Sequence, residues 1–411
     1  MPESIGQKIR NQLDLPLYKK NIIFWIISPL LIILSIIIHF FSKKRREISY
    51  PNKNILNIKE NLNNDYFHII CVGNIIIGGT GKSPVVQKMA QTFLSQGYIV
   101  AIASRGIGQN IKNIYVNNLS DINDINHLSD ENREHFEILK KHSKKESIFY
   151  VLQNKRRLLS LEFLINEIKT KNTLHNLKCV VILDDGLQHF ECPRDINICL
   201  WSTDILQNSP YFCMPIGPFR EGYGKKSFQN LLLSFNYRFW SRTSIINIEI
   251  YKQKIKECLN KFSLELSDKD IIITYLNSYF MLEIKNNSIH IGKEVSIPEL
   301  NLIFESQKSI GFIAGIANPN KLFLDLKNTF KVNKLNSIFL DDHGKLTKKA
   351  IELINTSDSI IFTLKDFFRW CQQPVFLNMI KNKNIILCSI EVSFRGLDNE
   401  EIDIIKKITS D

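Results

Sequence analysis

Three glycines, a lysine and a serine stand close together in GGTGKSP, Gly78 to Pro84, and their types suit one task. Glycines let backbone N–H groups approach phosphate oxygens, a lysine ammonium reaches the terminal phosphates, and a serine hydroxyl offers an oxygen to magnesium. Gly78, Gly79, Thr80, Gly81, Lys82 and Ser83 are therefore the candidate nucleotide-binding loop. The spacing departs from the usual G-x-x-x-x-G-K-[ST] pattern, because the position five residues before Gly81 is Ile76. A second candidate group is DDGLQH, Asp184 to His189, where two adjacent carboxylates follow the apolar run CVVIL. That is the arrangement of a Walker B magnesium site, in which one carboxylate turns toward the phosphates; an ordinary polar turn is the bland alternative.

The loop needs a strand before it and a helix after it, and the sequence supplies both. FHIICV, Phe67 to Val72, reads as a buried parallel strand ending at Gly73. From Pro84 to Gln96 the apolar residues Val85, Met89, Phe93 and Leu94 share a helical face, and Gly97 stops it. A helix starting there directs its dipole and free N–H groups at the phosphates. YIVAIASRG, Tyr98 to Gly106, gives a second strand, and CVVILDDGLQH a third. Together they predict an α/β fold with a P-loop NTPase-like parallel sheet. Short apolar-polar alternations such as NIEIY, IIITYL, YFMLEI and SIHIG predict small strands across 246–303. SIGFIAGI, SIIFTL and NIILCSI then predict buried strands of a second, smaller α/β lobe.

A chain of 411 residues exceeds what one core usually supports. We expect a membrane-associating segment at 1–47, a P-loop domain at 48–245, a β-rich linker at 246–303 and the smaller lobe at 304–411. The net charge of +12 favours anionic partners, but no interleaved aromatic-basic motif points to nucleic acid. Eight scattered cysteines lack C-x-x-C pairs, which predicts reduced thiols rather than a zinc site or disulfide framework. From Asn21 to Phe41 the chain has no formally charged residue, an apolar length that could cross a hydrocarbon core or lie on it. Lys19 and Lys20 precede this segment and KKRR, Lys43 to Arg46, follows it, so charge leaves its orientation open while favouring anionic headgroups. Pro29 suits a bent or surface-lying helix as well as a span.

Several blocks in one order give the chain its resemblance. GNIIIGGTGKSP, the Ser104 to Gly106 strand end, DDGLQH, MPIGPFRE (Met214 to Glu221), GIANPNKLF (Gly315 to Phe323), DDHGKLT (Asp341 to Thr347) and TLKD (Thr363 to Asp366) follow one another. In this the sequence resembles the tetraacyldisaccharide 4'-kinase family of lipid A biosynthesis, whose loop carries the longer Gly-Asn opening seen at Gly73 and Asn74. The resemblance implies transfer of the ATP γ-phosphoryl group to the 4'-hydroxyl of an acylated glucosamine disaccharide 1-phosphate. It implies ATP and Mg2+, an inner-membrane surface with the catalytic body on the cytoplasmic side, and no obligate protein partner.

Site residues follow from the same resemblance. Lys82 and magnesium would neutralise phosphate charge, with Ser83, Asp185 and Glu221 as metal oxygens and Arg220 beside them. Asp130, in SDEN, would be the base for the acceptor hydroxyl, with Glu131 next to it and His343 of the second lobe paired with it. Ser129 and Asn132 replace the Gly and Pro of the family's G-D-E-P here, and read alone the stretch is an acidic surface loop. Asn74 and His189 would be positioning residues. Rival readings are a membrane-associated partitioning ATPase switch, which would want a lysine where Ile77 stands, and a noncatalytic membrane scaffold.

Overall fold

The computed structural model describes residues 22–49, 67–76, 80–106, 113–171, 177–189, 191–201, 212–215, 217, 219–222, 231–239, 248–261, 267–282, 284–286, 288–290, 294–307, 309–316, 319–330, 335–341, 344–371, 373–381 and 383–409. Ile77, Gly78, Gly79 and His343 lie outside them.

Eight strands come first: β1 Phe67–Gly73, β2 Ile99–Ser104, β3 Ile114–Asn117, β4 Phe149–Gln153, β5 Cys179–Asp184, β6 Ile196–Trp201, β7 Leu231–Phe239 and β8 Ile271–Leu282. Four more follow: β9 Ile310–Ala314, β10 Leu335–Phe339, β11 Ser359–Thr363 and β12 Asn384–Arg395. All join one sheet in the order β10-β9-β11-β12-β8-β7-β6-β1-β5-β2-β4-β3, with Glu294–Val295 pairing β8 off this path. Pairings from β8 through β4 are parallel, and so are those among β9 to β12. The long antiparallel ladder of β12 on β8 joins the two groups and reverses strand direction between them.

β1 is buried on both faces, which is why its sequence is nearly continuous hydrophobic. Phe67, Ile69 and Cys71 point into one core and Ile70 and Val72 into the other, the two-residue period of a strand. Helix α1, Ile22–Ser49, precedes the sheet. Helix α2, Lys82–Ser95, packs Val85, Met89 and Phe93 against the Ile70 face. Helix α3, Asp130–His142, adds Phe136 and Leu139 to that same core. Helix α4, Arg157–Thr170, places Leu161, Leu164 and Ile168 on the opposite face. Helices on both faces of a parallel sheet make the doubly wound architecture that the sequence predicts.

Two elements differ from expectation. α2 begins at Lys82 rather than Pro84, because Gly81 adopts φ 74 and turns the chain straight into the helix. It ends as predicted, with Gly97 at φ 81 and the amides of Gly97 and Tyr98 closing onto Leu94 and Phe93. NIEIY does not form a strand: it opens helix α5, Ile248–Lys261. The local alternation there is only five residues long, whereas Ile248, Tyr251, Ile255 and Leu259 keep helical spacing and bury Ile255 and Leu259. IIITYL and YFML form one continuous strand, β8.

α1 carries the apolar segment and contains Pro29. Among the described residues no helix is long and apolar enough to cross a membrane. Leu30, Ile33, Phe40 and Phe41 are 55–68% exposed, while Ser35 between them is wholly buried. The helix therefore presents one face to the body and a large apolar face outward.

Candidate active site

Parallel strands that share a register end together, and their ends gather the candidate residues. Val72 is level with Asp184, and Ser104 with Gln153. Past Gly73, Asn74 is fully buried, donates from Nδ2 to Thr80 Oγ1 at 2.8 Å and accepts from Lys82 Nζ at 3.3 Å. An amide can do both at once, so Asn74 ties the exit of β1 to the end of the loop and aims the lysine.

The two carboxylates divide their work by direction. Asp184 points inward, 3.1 Å from His135 Nε2 of α3, whose Nδ1 lies 3.3 Å from the Gln87 amide of α2. Burial opposes an imidazolium at His135, but the Asp184 hydrogen bond and charge prevail and hold its pKa above the ordinary value. Burial likewise opposes charge on Asp184, yet the His135 hydrogen bond and charge, with Lys82 and Arg157, hold its carboxyl below the usual range. The result is a buried His135–Asp184 hydrogen bond that, with Gln87, locks α2, α3 and β5 together. Asp185 follows at φ 49, a left-handed turn that an aspartate tolerates better than most residues. Its carboxylate faces the loop, 3.7 Å from Lys82 Nζ, and takes both oxygens to Arg220, at 2.9 and 3.0 Å.

MPIGPFRE brings in the other side. The Arg220 amide donates to Ile75 O at 2.8 Å, so this segment lies along the exit of β1. Buried Glu221 accepts from Gln188 Nε2 at 2.8 Å, and the same amide nitrogen donates to Asn74 O at 2.9 Å. Gln188 thus joins three of the sequence motifs. The buried Arg157 guanidinium donates to the Asp184 and Asp185 carbonyls, and Arg194 to those of Gly186 and His189, so the DDGLQH turn is held from two sides. His189 sits among these cations. Burial first, then Arg157 and Arg105, push its pKa down to about 4, so it stays neutral at ordinary pH and cannot act as a cationic acid.

Asp130 is the first residue of α3, and the stretch read as a possible surface loop proves to be an ordered helix start. Asn132, wholly buried, accepts from Ser104 Oγ at 2.6 Å and donates to Gln153 Oε1 at 2.8 Å, which pins α3 to the ends of β2 and β4. That puts Asp130 and Glu131 on the same edge of the sheet as the loop. Both are held by helix α6, Leu364–Trp370, which follows β11 in the TLKD block. Lys365 lies 3.0 Å from Glu131, and Arg369 Nε lies 2.6 Å from Asp130 while its NH1 reaches Asp366 at 2.7 Å. His343 cannot be placed against Asp130; of its neighbours, Gly344 donates to Asp341 O and accepts from Trp370 of α6.

The donor set expected for magnesium is chemically suited to it. The oxygens of Ser83, Asp185 and Glu221 are hard, and magnesium completes its shell with phosphate and water rather than a protein cage. Among the described residues no cluster of three His, Cys, Asp or Glu side chains is close enough to hold a metal alone. Asp184 Oδ1 is buried without a hydrogen-bond donor, an acceptor suited to a metal-bound water. Cysteine chemistry fits less well: burial pushes the Cys71 and Cys179 thiols up, and Cys192 to about 12.

Sequence reasoning missed His135, Arg157, Gln188, Lys365 and Arg369. Gln188 lies inside DDGLQH and Lys365 inside TLKD, and their side chains are the signal the sequence carries. Arg157, in KRR, has the look of a solvated charge run, and only burial distinguishes it.

The family model for tetraacyldisaccharide-1-P 4'-kinase matches residues 27–408. The tetraacyldisaccharide 4'-kinase of Francisella tularensis subsp. novicida strain U112 is 27% identical over 301 residues, 72% of this chain and 79% of the relative. That of subsp. tularensis strain WY96-3418 has the same identity and coverage. LpxK of Aquifex aeolicus, solved in complex with ATP, superposes with a TM-score of 0.49 at 19% identity, covering 88% of this chain and 96% of that one. With the family match running from α1 to the last helix, the chain belongs to the tetraacyldisaccharide-1-phosphate 4'-kinase family and is a kinase of lipid A biosynthesis.

Proposed function

We propose that the chain moves the terminal phosphoryl group of ATP to the 4'-hydroxyl of an acylated glucosamine disaccharide 1-phosphate, with magnesium, at the cytoplasmic face of the inner membrane. The observation that carries the reading is the meeting of Lys82, Asp185 and Arg220 at the exit of β1, joined through Gln188 to Asn74 and Glu221. Phosphoryl transfer asks little covalent chemistry of a protein, so charge, alignment and one proton are what the residues must handle.

Lys82, released from Asn74 and Asp185, takes the terminal phosphates. Ser83, Asp185 and Glu221 would hold the metal, which when bound would supply neutralisation of phosphate charge. Arg220, now paired with Asp185, would turn to a phosphate oxygen. Asp130 accepts the hydroxyl proton, for which Arg369 must first leave its carboxylate; movement of α6 would supply this and would carry Gly344 with it, while His343 is the residue that the family resemblance pairs with Asp130. The outward apolar face of α1 and the KKRR run in its last turns seat the body on anionic lipid, where the acceptor resides. Residues 48–245 would form the kinase domain, 246–303 the connection and 304–411 the moving lobe.

Lipid-dependent ADP formation separates this from a partitioning-type switch. Purified protein with ATP and Mg2+ is expected to form ADP only when the disaccharide lipid is added, and to stop when Mg2+ is chelated. Equal ADP formation without lipid would contradict the kinase reading.

A further inference from the structure

The stripe of α1 that faces the body carries Ser35, His39 and Ser42, spaced four and three residues apart, in a helix otherwise rich in isoleucine and phenylalanine. Each of these side chains reaches Cys213 or Gly222. Ser35 Oγ, fully buried, donates to Cys213 O. His39 Nδ1 lies 3.7 Å from Cys213 Sγ. Ser42 Oγ donates back to Ile38 O within its own helix, which leaves its lone pairs for the Gly222 amide at 2.6 Å. A Cβ at Gly222 would collide with the His39 carbonyl, so the two backbones meet without space between them.

Cys213 and Gly222 are the two ends of the segment that bears Arg220 and Glu221. Between them Met214 N donates to Phe219 O at 2.7 Å and Gly217 N to Cys213 O at 3.0 Å, so the described residues of the segment are tied to one another. Its other side is fastened to Ile75 through the Arg220 amide. From this geometry we infer that α1 is a brace for the phosphate site as well as a lipid-facing helix: Ser42, with Ser35, positions Arg220 and Glu221 by gripping both ends of their segment. Ser42 and Ser35 touch no reacting atom and are positioning residues. The inference rests on the reading of Arg220 and Glu221 as site residues.

A brace and an anchor fail differently. Loss of an anchor weakens capture of the lipid, whereas misplacement of site residues by about an ångström lowers turnover by up to about 100-fold. Full-length Ser42→Ala, Ser42→Thr, Gly222→Ala and Arg220→Ala are compared with the parent in kcat, KM for lipid, melting temperature and co-sedimentation with anionic vesicles. Ser42→Ala and Gly222→Ala are expected to lose roughly 10- to 100-fold in kcat, with lipid KM and co-sedimentation at parent values, and Ser42→Thr to return near the parent. Parent kcat in both Ser42→Ala and Gly222→Ala, with Arg220→Ala slowed, overturns the brace alone. A loss confined to lipid KM, or one that follows melting temperature and is not restored by threonine, overturns it too. Parent kcat in Arg220→Ala overturns the site reading on which it stands.

Discussion

Lys82→Ala is expected to fold as the parent does and to lose about 10²- to 10³-fold in kcat, the usual effect of deleting one preorganised charge that meets the transition state. Its side chain is 17% exposed and its partners, Asn74 and Asp185, remain bonded to Thr80 and Arg220 after truncation. Partly exposed ion pairs contribute little to stability, so circular dichroism and melting temperature should barely move. Arginine is not expected to rescue it. A planar fork cannot replace the compact ammonium between the Asn74 carbonyl and the Asp185 carboxylate. Steady-state assay of Lys82→Ala and Lys82→Arg checks this; a kcat within about threefold of the parent for either would remove Lys82 from the transition state.

Asp130→Asn is expected to lower kcat by about 10²- to 10⁴-fold, the range of a positioned general base. The structure supplies a competing role, because Asp130 also holds Arg369 of α6 at 2.6 Å. The two roles separate in a double-mutant cycle. If Asp130 only ties α6 to α3, Asp130→Asn and Arg369→Ala remove a shared contact, so Asp130→Asn should be no worse than Arg369→Ala, which also loses the Asp366 contact, and the double variant no worse than Arg369→Ala alone. As the base, Asp130→Asn should be at least about tenfold worse in kcat than Arg369→Ala, because only the former loses the proton acceptor. Equal losses in all three variants would leave Asp130 as a structural tie.

Much of this site was open to sequence reasoning because its parts are local. The strand before the loop, the helix after it and the paired carboxylates each depend on neighbouring residues, so FHIICV, Pro84 to Gln96 and CVVILDD could be read as elements. The residue pattern alone offers either of the two adjacent aspartates and only the resemblance singles out Asp185; the inward turn of Asp184 rests on the left-handed φ of Asp185 and on His135 arriving from another helix. Contacts that cross the chain were closed to it. Nothing near Ser42 announces Gly222, 180 residues on, and nothing near Asp130 announces Arg369, 239 residues on. NIEIY failed for the opposite reason: alternation over five residues fits both periods, and burial of Ile255 and Leu259 decides for the helix.

The P-loop misfit also has a physical account. A glycine is needed where the chain turns left-handed or passes close to another group. Gly81 meets the first condition at φ 74, and Gly73 the second, since a Cβ there would stand 2.7 Å from the Leu187 side chain. Ile76 meets neither: it is wholly buried and bridges to Phe219, so it belongs to the wall between the loop and the Arg220 segment.

Product identity tests the central claim most directly. The purified chain is incubated with ATP labelled in its terminal phosphate and the acylated disaccharide 1-phosphate, and the lipid is analysed by mass spectrometry with fragmentation of the two sugars. One labelled phosphate on the 4'-oxygen of the distal glucosamine, absent with Lys82→Ala, is the predicted result. Label released as inorganic phosphate with the lipid unchanged, or carried elsewhere on it, would contradict the account.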